Sequence, residues 1–249
     1  MPPDTERDRL RERLLARAGT DDSVVGAALT GSRADGTADR WSDIDLVLAV
    51  RDGRDGVPAD WTEWLHREFG ALHHWDLPVP GPRLVRVFLL PGCLEVDLAF
   101  LPEGEFGPRG PQWRTVFGNA RELQPFPEPD PDTLIGHSWH HALHARVCVE
   151  RGRLWQAEHW IGRLREQTVA LACLRLGRPT AFNKGAHLLP AEFTDPLSAT
   201  LVRALTGKEL LRALEALTAL LITEVARVRP ELADVLGPEL RRATSVGGR

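Results

Sequence analysis

The sequence predicts an α+β protein in two parts: a small β-sheet domain with flanking helices over residues 1–125, then an all-helical domain over 126–249. Three observations predict it. Short apolar strand-like runs alternate with helical patterns in the first half of the chain. Gln124 to Asp132 sets four prolines among nine residues and reads as a linker. Beyond it, helical periodicity punctuated by Gly152, Gly177 and Gly207 runs almost to the end of the sequence. With 249 residues, 43% hydrophobic and 27% charged, the chain can bury a core in each part. Two such parts predict a cleft between them, where ligands commonly bind.

Each element has its own signal. Asp4 to Ala18 carries Leu10, Leu14 and Leu15 at helical spacing and stops at Gly19. Ser23 to Leu29 reads as a short apolar strand running into a Gly31-Ser32 turn. Ser32 is expected to cap a short helix whose backbone N–H groups face a phosphate. Ile44 to Val50 is apolar without alternation after Asp45, so it reads as a central, buried strand. Pro58 to Trp75 places Trp61, Trp64, Leu65, Phe69 and Leu72 along a helical face, with proline near the start. Arg83 to Leu90, Pro91-Gly92 and Cys93 to Phe100 read as a β-hairpin. In the second half the expected helices are 132–151, 153–176, 195–205, 208–228 and 231–243.

Composition excludes several classes. Asp4 to Arg17 is too densely charged for a signal peptide, and no apolar run is long enough to span a bilayer. Three scattered cysteines, Cys93, Cys148 and Cys173, form no CxxC and no even-numbered framework, which predicts a reducing cytoplasm. The net charge of −4 argues against nucleic acid as the main partner and suits a cationic small molecule. No Walker loop, nucleophile elbow or dinucleotide fingerprint supports a rival chemistry. Only two of the 31 basic residues are lysines, Lys184 and Lys208, which singles each of them out.

The most informative stretch runs from Gly31-Ser32, through ten intervening residues, to Asp43-Ile44-Asp45. Strand side chains alternate, so Asp43 and Asp45 share a face about 6–7 Å apart at the backbone. Paired carboxylates repel unless a cation neutralises them, and Mg²⁺ with a nucleotide phosphate suits hard oxygen ligands. A second acidic strand, Leu94 to Phe100, puts apolar residues at even positions and Glu95 with Asp97 on the other face. Two strands can thus bring three carboxylates to one site.

Gly-Ser, ten residues, Asp-x-Asp resembles the signature of the DNA-polymerase-β-like nucleotidyltransferase superfamily, most closely its bacterial aminoglycoside and lincosamide members. The resemblance is specific over residues 20–105 and general elsewhere. It implies a small mixed sheet that transfers a nucleoside monophosphate, AMP from ATP, onto a hydroxyl with two Mg²⁺ ions. Asp43, Asp45 and Asp97 match the metal-binding catalytic acids, with Glu95 next in place if the strand register shifts. Gly31, Ser32 and Ser42 match the phosphate-contacting positions. Asp35 departs from the basic residue that relatives often carry nearby. Lys184, in the loop after the second long helix, matches a lysine that some adenylyltransferases set over the triphosphate.

For the acceptor, the resemblance implies acids on the helical half. Glu150, Glu158 and Glu166 occupy its first two helices, with Trp155 as a stacking surface. An aminoglycoside-like antibiotic acceptor, and hence resistance, follows from it, with the chain acting as a monomer or homodimer. The alternatives are adenylylation of a protein partner, as in antitoxin-type enzymes, and a non-catalytic nucleotide sensor. His137, His140, His141 and His144 have spacings that could share a metal but no Cys or acidic partner, and read as a structural cluster. The eight tryptophans read mainly as core and domain-contact residues.

Overall fold

The computed structural model describes residues 4–37, 39 and 41–245. The chain divides into two compact units, Met1–Phe126 and Pro127–Arg249. In the first, the described residues form α1 (Asp4–Thr20), β1 (Val24–Thr30), α2 (Ser32–Asp35), β2 (Ile44–Val50) and α3 (Val57–Phe69). Four further strands follow: β3 (His73–Leu77), β4 (Leu84–Leu90), β5 (Leu94–Pro102) and β6 (Trp113–Phe117). They make one mixed sheet in the order β3-β4-β5-β2-β1-β6, in which only β2 and β5 pair in parallel.

Alternation divides the sheet's side chains between two faces. One face carries Leu29, Ile44, Leu46, Leu48, Phe88, Val96 and Leu98 and packs against Leu10 and Leu14 of α1 and Trp61 and Leu65 of α3. Full burial of such aliphatic side chains contributes about 1.5–3 kcal/mol each before entropy is counted. Trp61 is wholly buried, its Nε1 donates to Asp21 Oδ2 at 3.1 Å, and Arg17 lies 4.9 Å over its ring. The opposite face has a smaller cover: Phe106 and Trp113 pack on Ala28, Val47, Ala49, Ala99 and Leu101. Asp45 and Asp97 project from that second face.

The second unit contains α4 (Pro131–Glu150), α5 (Leu154–Arg175), α6 (Ala191–Ser198), α7 (Gly207–Val228) and α8 (Pro230–Thr244). Asp130 caps α4 by accepting from the Thr133 N–H at 3.0 Å, and Thr206 caps α7 by accepting from Glu209. Leu164, Leu171, Leu210, Leu214, Leu217 and Leu221 make a shared core. Glu224 is fully buried within α7 and is held by Arg175 at 2.9 Å and Arg227 at 2.7 Å. No described helix is long and apolar enough to cross a membrane. All three cysteines are free thiols, Cys93 exposed and the other two buried.

Several sequence expectations need correction. The helix expected over Pro58–Trp75 ends at Phe69, because Gly70 adopts a left-handed conformation (φ 62°) and terminates it. The residues beyond form the edge strand β3, and β6 likewise had no strand signal in the sequence. The helix expected at 195–205 runs instead from Ala191 to Ser198, with Pro190 at its N-cap and Pro196 within it. Ser32 does not cap α2: Gly31 occupies the cap position, and Ser32 is the first helical residue. Of the tryptophans Trp61 is fully buried and Trp64, Trp113 and Trp160 pack partly buried against the cores, while Trp41, Trp75 and Trp155 are more than half exposed.

Candidate active site

The parallel pairing of β2 with β5 decides the site. In its register Asp45 lies directly beside Asp97, so two carboxylates from strands far apart in sequence become neighbours on one face. Farther along these strands the same face is covered by Phe106 and its neighbours, but both aspartates are only partly buried. Asp43 precedes the first residue of β2 and is also partly exposed.

Gly31 closes the other side. Its backbone (φ 65°, ψ −155°) lies in a region essentially reserved for glycine, and a Cβ there would collide with the carboxylate of Asp45. The chain therefore passes tightly against the acid, leaving a backbone surface without a side chain. From this turn the Ser32 hydroxyl donates to the Ser42 hydroxyl at 2.9 Å. Ser42 in turn donates to Asp39 Oδ1 at 3.2 Å and accepts from the Asp39 N–H at 2.9 Å. The Trp41 N–H and then the Ser42 hydroxyl hold the Asp39 carboxyl below the usual carboxylate range. These bonds join the two ends of the long connection between β1 and β2.

Arg33 is a positioning residue that the sequence did not single out. Its Nε donates to the Asp43 carbonyl at 3.3 Å, and its guanidinium reaches Asp8 of α1 at 3.4 Å. It thereby ties the segment entering β2 to both α2 and α1. Its only signal in the sequence was its place next to the Gly-Ser turn. Asp35, the expected departure from the family pattern, has its side chain outside those described.

Among the described residues no group of three or more His, Cys, Asp or Glu side chains is assembled as a ready-made metal cage. Mg²⁺ does not require one, since it is bound through one or two carboxylates together with substrate phosphates and water. The register pair Asp45–Asp97, the nearby Asp43 and the open glycine cradle form a donor set of that kind. Three histidines of α4 instead group around Trp160 of α5, with His141 and His144 centred 5.2 and 5.0 Å from its ring and His140 at 6.3 Å, while His137 stacks on His141. Burial, with Arg163 and the neighbouring histidines adding to it, pushes the His141 imidazole down to about 4.

The remaining expected residues lie in the second unit. Lys184 is exposed and follows a short 3-10 turn in which Phe182 and Asn183 both have positive φ (53° and 56°). A bulky residue in that conformation is strained and indicates a fixed loop shape. Glu150 is ion-paired with Arg146 at 2.8 Å and Glu166 with Arg163 at 2.6 Å. Glu158 is partly buried on α5; burial lowers the Arg165 guanidinium from its usual value, and the charge of Glu158 opposes that shift. Glu158 and Glu166 share α5, and Glu150 ends α4.

Residues 7–80 match the family model of the nucleotidyltransferase domain. The match takes in Gly31, Ser32, Ser42, Asp43 and Asp45 and stops before Asp97. No curated protein matches the chain significantly. Among solved structures, the chain is similar to an aminoglycoside 6-adenyltransferase from Bacillus subtilis, at 13% identity and a TM-score of 0.43 over 98% of this chain and 99% of that one. It is also similar to a nucleotidyltransferase-like protein from Exiguobacterium sibiricum 255-15, at 14% identity and a TM-score of 0.38 over 94% and 80% of the two chains.

Proposed function

From the match of residues 7–80 to the nucleotidyltransferase domain, we propose that the chain transfers AMP from ATP onto a hydroxyl of a small, cationic, aminoglycoside-like acceptor. The observation that carries this reading is the side-by-side placement of Asp45 and Asp97, with the Gly31–Ser32 turn packed against Asp45. Asp43, Asp45 and Asp97 would hold two Mg²⁺ ions. When bound, these supply positive charge to the attacking and leaving oxygens. Gly31, Ser32 and Ser42 contact the triphosphate through backbone N–H and hydroxyl groups.

The acceptor oxygen attacks the α-phosphorus, its proton passes to Asp97, and the bond to pyrophosphate breaks with the electron pair leaving on pyrophosphate. Lys184 is assigned to the triphosphate and Glu150, Glu158 and Glu166 to the acceptor. Glu150 and Glu166 already hold ion pairs with arginines on their own helices, and Glu158 lies in the field of Arg165 on its own helix. Free thiols suit a cytoplasmic enzyme.

Mass spectrometry of an acceptor panel tests this. Aminoglycosides, lincosamides and a cell lysate are incubated with the protein, Mg²⁺ and each nucleoside triphosphate, beside an Asp43→Ala, Asp45→Ala double variant. A drug that gains one AMP only with intact protein supports the reading. Modification of a lysate protein but of no drug refutes the acceptor assignment, and no modification at all refutes transfer.

A further inference from the structure

Strand register lays out the acid-bearing face in rows. Trp75 of β3 pairs with Val87 of β4, Val87 with Asp97 of β5, and Asp97 with Asp45 of β2. Residues paired in this way share a face of the sheet. The neighbours of Trp75 settle its direction independently. His74 packs against Phe88 of the core, and Asp76 binds Arg86, which reaches Thr62 of α3. His74 and Asp76 thus point to the helix-covered face, and Trp75 between them points to the other. At about 4.8 Å per strand, the Trp75 backbone lies about 10 Å from that of Asp97. The adjoining row holds His73, Leu89 and Glu95.

This side of the acids is chemically distinct from the Gly31–Ser32 side. Trp75 is 52% exposed, Leu89 is 40% exposed, and Glu95 is exposed beside them. The direction of the reaction decides what lies there. Phosphates held at the Gly31–Ser32 turn sit on the β1 side of Asp45. An in-line displacement brings the attacking oxygen from the opposite side of the α-phosphorus, which is over β5, β4 and β3.

We propose that Trp75 and Glu95 form the acceptor subsite of the sheet. Trp75 provides the surface for an aminosugar ring or ammonium group, and Glu95 pairs with an ammonium. The acceptor is accordingly a small polyamine carrying the hydroxyl that Asp97 deprotonates. This inference rests on the nucleotidyl-transfer reading. It moves the acceptor's first contacts from the helical unit to the edge of the sheet. The ring face of tryptophan is the strongest natural cation–π partner, and a carboxylate one row away complements a second amine.

Calorimetry tests it with kanamycin and streptomycin as probes, titrated into protein saturated with Mg²⁺ and a non-hydrolysable ATP analogue. Trp75→Ala and Glu95→Gln should each weaken binding of at least one drug roughly tenfold. Trp75→Phe should recover most of the first loss, and analogue affinity should stay unchanged in all three variants. Drug binding equal to wild type in these variants overturns the inference, as does a wild type that binds neither drug. The analogue titration separates the two readings. If wild type binds no nucleotide yet holds a drug in a Trp75-dependent way, transfer is refuted and the subsite stands. If Asp45→Asn abolishes nucleotide binding while Trp75→Ala leaves drug binding intact, the reverse holds.

Discussion

Gly31→Ala is expected to damage the protein in two separable ways. The backbone at Gly31 (φ 65°, ψ −155°) is one that a residue with a Cβ adopts only at a cost of about 1–3 kcal/mol. The new methyl would also occupy the space of the Asp45 carboxylate, forcing that side chain off its rotamer for roughly another 0.5–1.5 kcal/mol. The total, about 1.5–4.5 kcal/mol, should lower the melting temperature of the first unit by roughly 10 °C. Gly36 supplies the matched control. It too has positive φ (80°), but nothing lies within 4 Å of a Cβ built there. Gly36→Ala should therefore cost about 1 kcal/mol and leave the acid in place. Nucleotide transfer, measured where circular dichroism shows both variants folded, should fall about a hundredfold in Gly31→Ala and little in Gly36→Ala. Equal losses in the two variants would show that contact with Asp45 does not matter, and the argument for a glycine cradle would fail.

Three other outcomes are expected. Asp45→Asn and Asp97→Asn should each reduce turnover by about 10²–10⁴ while leaving the melting curve nearly unchanged, as steady-state kinetics beside calorimetry would show. His141 resists protonation in the folded unit down to about 4, whereas the unfolded chain takes up that proton near 6.5, so the unfolded state binds more protons in between. Stability is therefore full above about pH 6.5 and falls as pH drops towards 4, by at most about 3 kcal/mol, and thermal scans of His141→Phe should show a flatter pH profile. Arg175→Met leaves the fully buried Glu224 with Arg227 alone and should destabilise the helical unit by about 3 kcal/mol in urea. Adding Glu224→Leu should then restore much of the loss, because no buried charge remains.

What could be read from the sequence follows from how locally each signal is encoded. The hairpin of β4 and β5 and the central strand β2 announced themselves through alternation and an unbroken apolar run. Both patterns arise within a few residues. The edge strand β3 did not, because most of its residues are exposed and it follows a helix whose apolar period continues through Leu72. β6 is mostly exposed as well, and only its pairing with β1 defines it. At the candidate site, residue types and spacing picked out Gly31, Asp45 and Asp97. The register that sets Asp45 beside Asp97, and the row that continues to Trp75, depends on strand pairing that no local pattern specifies. Arg33 escaped notice for the same reason, since its partners Asp8 and Asp43 are gathered only by the fold.

The parallel pairing of β2 with β5 also governs how the protein acquires its acids. Two strands that run the same way cannot be joined by a tight turn, so α3, β3 and β4 are all strung between them. Asp45 consequently has no carboxylate neighbour on β5 until that whole intervening stretch has been made and folded back. Such a contact order is high, and the entropy of closing the loop must be met before the pairing returns anything. During synthesis, a chain halted anywhere before β5 holds one acid of the pair and has only β1 beside its central strand. The pair is therefore coupled to the arrival of β5: a first unit folded short of it has no half-working site, and the two carboxylates repel each other only once β5 lies beside β2.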